Sequence, residues 1–256
     1  MSPQQAQAIY RRLVLSDLSA EMKIGLFLAF CRTFGVASIG GLLASTGQTS
    51  ADARSRAVRT RDTMYTLYRH GFDDPEGERA VRRLRKVHDR FPIANDDYLY
   101  VLGCLVVVPT RFALQFGRRP LTSGEQTATH AFYHRLAGLM GIDDVPGTYG
   151  DLEAWFDDYD RRNVAEHPAA GPLLSASRGL LVHRLPPLLR QLAARCVDVL
   201  LDDRLRTAGG ISQPTRVHRA LVWSIVTLCR LVPRSAGNTH EDHEGEDCAA
   251  MGAADR

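Results

Sequence analysis

The chain has 256 residues, of which 45% are hydrophobic and 24% are charged, so it is long and apolar enough to bury one substantial core. Its 32 basic residues nearly match its 29 acidic ones and leave a formal charge of +3. That balance excludes the strongly basic surface that is typical of nucleic-acid-binding proteins. We therefore expect a globular protein with no nucleic-acid partner.

The five cysteines are widely spaced, and most lie in apolar segments, where a free thiol packs as a small hydrophobe. The N-terminus lacks the basic start, apolar stretch and cleavage site of a secretory signal. These features predict a cytoplasmic location.

Two stretches are apolar enough to raise the question of a membrane. Residues 25–44 are interrupted by Arg32 and by glycines, and residues 98–108 meet Pro109 after eleven residues. A helix needs about 20 apolar residues to cross a bilayer. Both stretches are predicted to be buried core helices, and peripheral membrane contact through the first is the alternative.

Helix signals recur along the chain, whereas strand signals are almost absent. A first helix is predicted to begin at Ser19, and a second to end at Gly71, a residue type favoured just past helix ends. A third has Asp74 as its cap and Pro75 at its first position, and it stops before Pro92.

Five more helical stretches are predicted, followed by a polar end. One is capped by Asn95, and the next runs from Thr122 or Ser123 to Gly141. The others cover residues 148–164, residues 175–210 with a break at Pro186-Pro187, and residues 214–232. We therefore predict an all-α fold, a single large domain of about nine helices over residues 1–234, and an acidic, disordered tail over residues 235–256.

The third predicted helix places a histidine on its apolar stripe, which consists of Val81, Leu84, His88 and Phe91. Such a histidine is usually a core residue whose ring nitrogens are satisfied by neighbours. The alternative is an iron ligand, because haem in a helical protein needs an inward imidazole, an apolar pocket and cationic groups at the rim. The arginine-rich flanks of this helix would supply those cations.

Two further patterns carry candidate site residues. Arg59 and Thr63 are four residues apart, so they share a helix face and are predicted to point inward; alternatively they are ordinary surface residues. His130 and His134 have the spacing of helical zinc ligands, but a His-Glu-x-x-His protease would need a glutamate where Ala131 stands. We expect these two histidines to be surface or edge residues.

Five motifs follow one another along the chain: Arg-x-x-x-Thr, a basic helix containing Val-His, Asp-Tyr-Leu-Tyr-Val-Leu, Val-Pro-Thr-Arg and Pro-Leu-Thr. In this order they resemble the catalytic domain of MpaB-type and rubber (latex-clearing) oxygenases. The resemblance covers about residues 9–155. It implies an all-helical fold that encloses a b-type haem pocket, with His88 as the proximal iron ligand. It also implies that Arg59 and Thr63 lie over the distal side of the haem, where a guanidinium and a hydroxyl could stabilise bound dioxygen.

Two positions depart from the family pattern. Asp62 stands where some rubber-cleaving members have a lysine that ligates iron, and the chain has no acidic residue between Glu21 and Asp52, where they carry a glutamate. A lysine-ligated closed state and polyisoprene cleavage by that mechanism are therefore not expected.

Together these features predict a haem b-dependent oxygenase that uses dioxygen and a small apolar substrate, isoprenoid or lipid-like, with peripheral membrane contact left open. Three alternatives remain at this point. The first is a haem peroxygenase or peroxidase, the second a non-catalytic helical protein that binds haem or a small molecule, and the third a helical protein without haem.

Overall fold

A computed structural model describes residues 1–46, 50–182 and 185–231, and the predicted tail lies outside the described residues. Within these ranges the chain forms twelve α-helices and one π-helical segment and contains no strand, although an isolated backbone bridge joins Val36 and Val164. The all-α prediction is confirmed, and the helices outnumber the nine expected. Three of them had no separate prediction: α1, α3 and α11.

The helices follow one another through short connections. Their bounds are α1 Pro3–Arg12, α2 Ser19–Thr33, α3 Ala37–Thr46, α4 Ser50–His70, α5 Pro75–His88, α6 Asn95–Phe116, α7 Ser123–Met140, α8 Tyr149–Asn163, α9 Ala170–Val182, α10 Pro187–Leu200, α11 Asp203–Ala208 and α12 Arg216–Leu231, with the π-helical segment Leu13–Asp17 between α1 and α2.

Local signals set most helix ends as predicted. Gly71 and Gly141 follow α4 and α7 with φ of 79° and 73°, a conformation that glycine adopts without steric cost. The Asp74 side chain accepts a hydrogen bond from the Glu76 backbone N–H at the start of α5. Asn95 is the first residue of α6 and not its cap, since Ala94 occupies that position.

Helix α6 lies at the centre of the molecule and packs along α2. The two backbones approach closely at Gly25, where an added Cβ would lie 2.5 Å from the Pro109 Cα. Pro109 lies inside α6, which continues to Phe116, beyond the apolar stretch of residues 98–108. The part after Pro109 still buries Phe112 and Ala113, and this packing outweighs the one backbone hydrogen bond that proline removes.

By length and composition α6 is the one helix of the described residues that could cross a membrane, with 22 residues and a mean hydropathy of 1.7. However, 61% of its most apolar window is buried inside the protein. Its burial agrees with the predicted core role of residues 98–108.

Buried polar groups tie the helices together. Arg32, which interrupts the first apolar stretch, donates to both carboxylate oxygens of Asp160 at 2.7 Å, and the Tyr100 hydroxyl donates to Asp160 at 2.6 Å. The Tyr133 hydroxyl of α7 lies 3.0 Å from that of Tyr10 in α1 and 2.8 Å from that of Tyr68 in α4. This second cluster fixes α4, the helix that carries Arg59 and Thr63.

The cysteines whose side chains are described, Cys31, Cys104 and Cys196, are free thiols. Burial raises the pKa of Cys31 to about 12, so this thiol stays protonated at neutral pH and packs as the predicted small hydrophobe.

Candidate functional site

The predicted site residues lie on a helical hairpin formed by α4 and α5, which pack against each other across a four-residue turn. Arg59 lies eleven residues before His70, the end of α4, and His88 lies thirteen residues after Pro75, the start of α5. At about 1.5 Å per residue, both are therefore roughly 17 to 20 Å from the turn. The hairpin thus brings Arg59 and His88 to the same end.

Burial decreases along this hairpin from the turn towards the end that carries Arg59 and His88. Near the turn, Leu67 and Ala80 are completely buried. Further away, Leu84 and His88 are half-buried, and Arg59 is exposed. The site end of the hairpin is therefore less filled by the protein's own side chains than the turn end.

His88 ends α5 on the inward stripe that the sequence predicts. Its Nδ1 lies 2.7 Å from the Leu84 carbonyl oxygen, one helical turn earlier. A carbonyl oxygen only accepts hydrogen bonds, so Nδ1 must carry the proton of the neutral ring. The lone pair is then on Nε2, which is the arrangement of a metal-binding histidine whose second nitrogen is held by a backbone carbonyl. This carbonyl was not among the predicted site groups.

Tyr98, in the first turn of α6, is the aromatic neighbour of His88. Their ring centroids are 5.6 Å apart, with an angle of 47° between the ring planes. Burial, with a smaller contribution from Asp89, raises the pKa of the Tyr98 hydroxyl, so it stays protonated at neutral pH. Sequence reasoning missed this contact because it depends on how the six-residue connection between α5 and α6 turns the chain.

Arg59 and Thr63 share one side of α4, but they do not point inward as predicted. The Arg59 side chain is exposed, and that of Thr63 is half-buried. The Thr63 hydroxyl donates a 2.8 Å hydrogen bond to the Arg59 carbonyl oxygen, as threonines in helix interiors often do. The four-residue spacing shows that the two side chains share one side of α4. It does not show whether that side faces the protein interior or the solvent.

Asp62, at the position of the family's lysine, is also exposed. Its carboxylate accepts a 3.0 Å hydrogen bond from Arg61. Asp62 therefore pairs with the adjacent Arg61 on the outer surface of α4.

The flanks of α5 carry the cationic groups predicted for a haem rim. Six basic side chains on or just after this helix are exposed, namely Arg79, Arg82, Arg83, Arg85, Lys86 and Arg90. Arg82 pairs with Glu78 at 3.2 Å, and Arg85 lies 4.0 Å from Asp89. Exposed cations of this kind can bind carboxylates such as haem propionates without first losing a buried partner.

The residues present fit a haem better than a metal held by protein ligands alone. Among the described residues, no group of three or more His, Cys, Asp or Glu side chains could hold a metal ion. An iron atom bound at His88 would therefore need further ligands from a macrocycle. The half-buried imidazole of His88, beside an aromatic ring and exposed cations, supplies two of the three features that a b-type haem needs, the inward ligand and the cationic rim.

The second histidine pair differs from expectation. His134 is exposed, but His130 is only 5% exposed, so its predicted surface position is wrong. Its Nε2 lies 2.9 Å from the Pro146 carbonyl oxygen, in the connection that follows α7. Burial lowers the pKa of His130, and the ring is satisfied by this carbonyl as a core histidine would be.

Two surface cavities lie near the opposite end of the hairpin. Their volumes are about 590 and 660 Å³, and both are lined by Asp73 and Arg135. Neither lining includes Arg59, Thr63 or His88. These cavities therefore do not belong to the predicted site.

Fold and site together define an all-α domain with a candidate cofactor-binding helical hairpin. Residues 19–232 match the family described as "ER-bound oxygenase mpaB/B'/Rubber oxygenase, catalytic domain". The chain belongs to this family of oxygenases, and the resemblance seen over residues 9–155 is confirmed. The match continues through the C-terminal helices, so α9 to α12 are part of the family domain.

Three fungal oxygenases are similar to the chain. The "ER-bound oxygenase mpaB'" of Penicillium brevicompactum is 28% identical over 225 residues, which cover 80% of this chain and 53% of that protein. The "ER-bound oxygenase mpaB" of Penicillium roqueforti (strain FM164) is 28% identical over 206 residues, 73% of this chain and 68% of that protein. The mpaB protein of P. brevicompactum is 30% identical over 159 residues, 55% and 40% of the two chains. The chain thus spans about half the length of the first of these relatives.

Proposed function

We propose that this protein is a haem b-dependent oxygenase in which His88 is the proximal ligand of the iron. The observation that carries the proposal is the hydrogen bond from His88 Nδ1 to the Leu84 carbonyl, because it leaves Nε2 free in a chain of an oxygenase family. When bound, haem b supplies the activation of dioxygen, a reaction for which no amino-acid side chain is suited.

The protein's own contribution begins with the orientation of His88. The bond to Leu84 fixes the tautomer and resists rotation of the ring, and it makes Nε2 a stronger donor. Tyr98 packs against the same ring and limits its tilt. Both contacts hold Nε2 in one direction before any ligand arrives, which lowers the entropy cost of binding.

Arg59 and Thr63 are proposed to act on the distal side of the haem, in line with the family resemblance. Arg59 has a long, flexible side chain that is not buried in a fixed position, so it can swing from the surface towards a bound ligand. There its guanidinium would stabilise negative charge on oxygen, and the Thr63 hydroxyl would donate a second hydrogen bond. For that, Thr63 would have to exchange its present bond to the Arg59 carbonyl.

The proposed substrate is small and apolar, of the isoprenoid or lipid-like class. The apolar neighbours at the site end of the hairpin support this choice, since half-buried Val58 and Leu84 offer no charge to a substrate. We also propose a cytoplasmic protein in peripheral contact with a membrane, where such substrates concentrate. The similar fungal proteins are named ER-bound, which supports the membrane contact.

The test of this function is oxygen uptake by the haem-loaded protein with short isoprenoids and fatty-acyl esters, followed by mass spectrometry of products formed under ¹⁸O₂. Incorporation of the label is expected, and it should be strongly reduced in Arg59→Ala protein that keeps its haem. Turnover that proceeds only with hydrogen peroxide would make the protein a peroxygenase. Bound haem without turnover of either kind would favour the non-catalytic alternative.

A further inference from the structure

His130 and His134 lie one turn apart on α7, and both line the cavity of about 660 Å³ that is separate from the haem site. Side chains four residues apart in a helix lie on the same face. Here the two imidazole ring centroids are 5.6 Å apart, with an angle of 47° between the ring planes. The wall of this cavity therefore holds two nitrogen-bearing rings next to each other.

The ring of His130 is held so that one nitrogen can bind a ligand. Its Nε2 lies 2.9 Å from the Pro146 carbonyl oxygen, which can only accept a hydrogen bond, so Nε2 carries the proton of the neutral ring. The lone pair is then on Nδ1, which makes no hydrogen bond within the described part of the chain. A histidine whose other nitrogen is bound by a backbone carbonyl is typical of metal ligands.

Burial also prepares His130 for a cation. It lowers the pKa of the ring, so His130 is neutral at neutral pH and need not lose a proton before it binds a metal ion. The Asp151 carboxylate, in the first turn of α8, acts on the same ring in the opposite direction, and Asp73 lines the cavity. Two carboxylates near two imidazoles favour positive charge between the rings.

The distance between the rings suits a shared metal ion. In a tetrahedral site the ion lies about 2.0 to 2.1 Å from each imidazole nitrogen, which itself lies about 1.15 Å from its ring centroid. Two centroids about 3.2 Å from one ion, at the tetrahedral angle of about 109°, would be about 5.2 Å apart. The observed distance of 5.6 Å is slightly longer, and a small rotation of the exposed His134 side chain can close the difference.

We propose that His130 and His134 bind a divalent transition-metal ion such as Zn²⁺. Imidazole nitrogens suit zinc, copper and nickel, whereas calcium and magnesium prefer oxygen ligands. In the part of the chain that the structure describes, no third His, Cys, Asp or Glu side chain completes the set. At least two positions of a four-coordinate ion therefore remain for water or a small ligand in the cavity, as in an open metal site and not a closed structural one.

The test is calorimetric titration of ZnCl₂ into the full-length protein. His240, His243 and Cys248 lie outside the described residues and could bind zinc by themselves, so the titrations use a His240→Ala/His243→Ala/Cys248→Ser background. We expect one zinc ion per chain. His134→Ala should bind zinc about a hundredfold more weakly, because two linked ligands bind at least about a hundredfold more tightly than one.

The matched control is His70→Ala, which removes an exposed histidine of α4 and should bind zinc as the background protein does. With Cu²⁺ as the probe, electron paramagnetic resonance should show coupling to two imidazole nitrogens, and to fewer in His134→Ala protein. Because the His134 side chain is exposed, His134→Ala should leave the unfolding temperature in metal-free buffer unchanged, which separates lost binding from lost folding.

Three results would overturn the proposal. They are a background protein that takes up no zinc below millimolar concentrations, a His134→Ala variant that binds zinc as tightly, and a copper spectrum with coupling to a single nitrogen. His88→Ala protein should bind zinc as the background protein does, so the outcome does not depend on the haem proposal.

Discussion

The turn that joins α4 to α5 allows the sharpest prediction, because one glycine there has no room for a side chain. A Cβ built on Gly77 would lie 1.7 Å from the Gly71 carbonyl oxygen and 2.8 Å from its carbon. A comfortable carbon–oxygen contact is about 3.3 Å, so the turn would have to open by roughly 1.5 Å. The carbonyl cannot simply rotate, since Gly71 is held in the left-handed conformation that ends α4.

We expect Gly77→Ala to destabilise the protein by about 2 to 3 kcal/mol. Overpacking against a rigid backbone costs about 3 kcal/mol or more, and the better helix propensity of alanine offsets about 1 kcal/mol of this. In a chain of this size the unfolding temperature should fall by about 5 to 10 °C, measured by circular dichroism. Since α5 carries His88, haem retention should weaken as well.

The control is Gly138→Ala on α7, where an added Cβ meets nothing within 4 Å. This variant should be as stable as the wild type or up to about 1 kcal/mol more stable, because the only change is in helix propensity. Equal unfolding temperatures for the two variants would refute the close approach of the α4–α5 turn.

Three other predictions concern the site and the acid stability of the fold. Arg59→Ala should keep haem and lower oxygen turnover by about tenfold to a hundredfold, measured by oxygen uptake at matched haem content, whereas loss of haem would place Arg59 in cofactor retention. Tyr98→Phe should leave the haem spectrum unchanged and Tyr98→Leu should shift it, because only the first keeps the ring against His88; identical spectra for both would show that the contact is unimportant. Arg119 lowers the pKa of Glu125 to about 2 from its ordinary 4.5, so this pair stabilises the folded state above about pH 4.5, and that contribution is lost as pH falls towards 2. Because Arg119 is more than one-third exposed, Arg119→Met should cost about 1 kcal/mol at neutral pH and progressively less below pH 4.5, and a cost independent of pH would exclude this ion pair as its source.

Features that depend on neighbouring residues in the sequence were predictable. Pro75 and Gly71 set the ends of their helices through local backbone geometry, and the structure has both as expected. The pairing of α6 with α2 was not predictable, because the close approach of Pro109 to Gly25 joins residues more than eighty positions apart. Packing between residues distant in the sequence thus determined how the helices pair, which local sequence signals do not specify.

At the candidate site, too, local features were predictable from the sequence and long-range ones were not. The inward position of His88 follows from helix periodicity, and its bond to Leu84 joins residues one turn apart. The outward direction of Arg59 depends on which side of α4 the other helices cover, and spacing alone cannot give that. The environment of His130 likewise depends on how the connection after α7 folds back, which brings the Pro146 carbonyl oxygen to its Nε2.

The central claim is that His88 binds the iron of a b-type haem, and one measurement tests it most directly. It is a pyridine haemochrome assay, with oxidised and dithionite-reduced absorption spectra, of wild-type, His88→Ala and His134→Ala proteins purified from haem-replete cells. The account predicts about one haem b per chain in the wild type and in the His134→Ala control, and its loss from His88→Ala protein that keeps its helical circular dichroism. A colourless wild type, or His88→Ala protein with a full complement of haem and an unchanged spectrum, would contradict it.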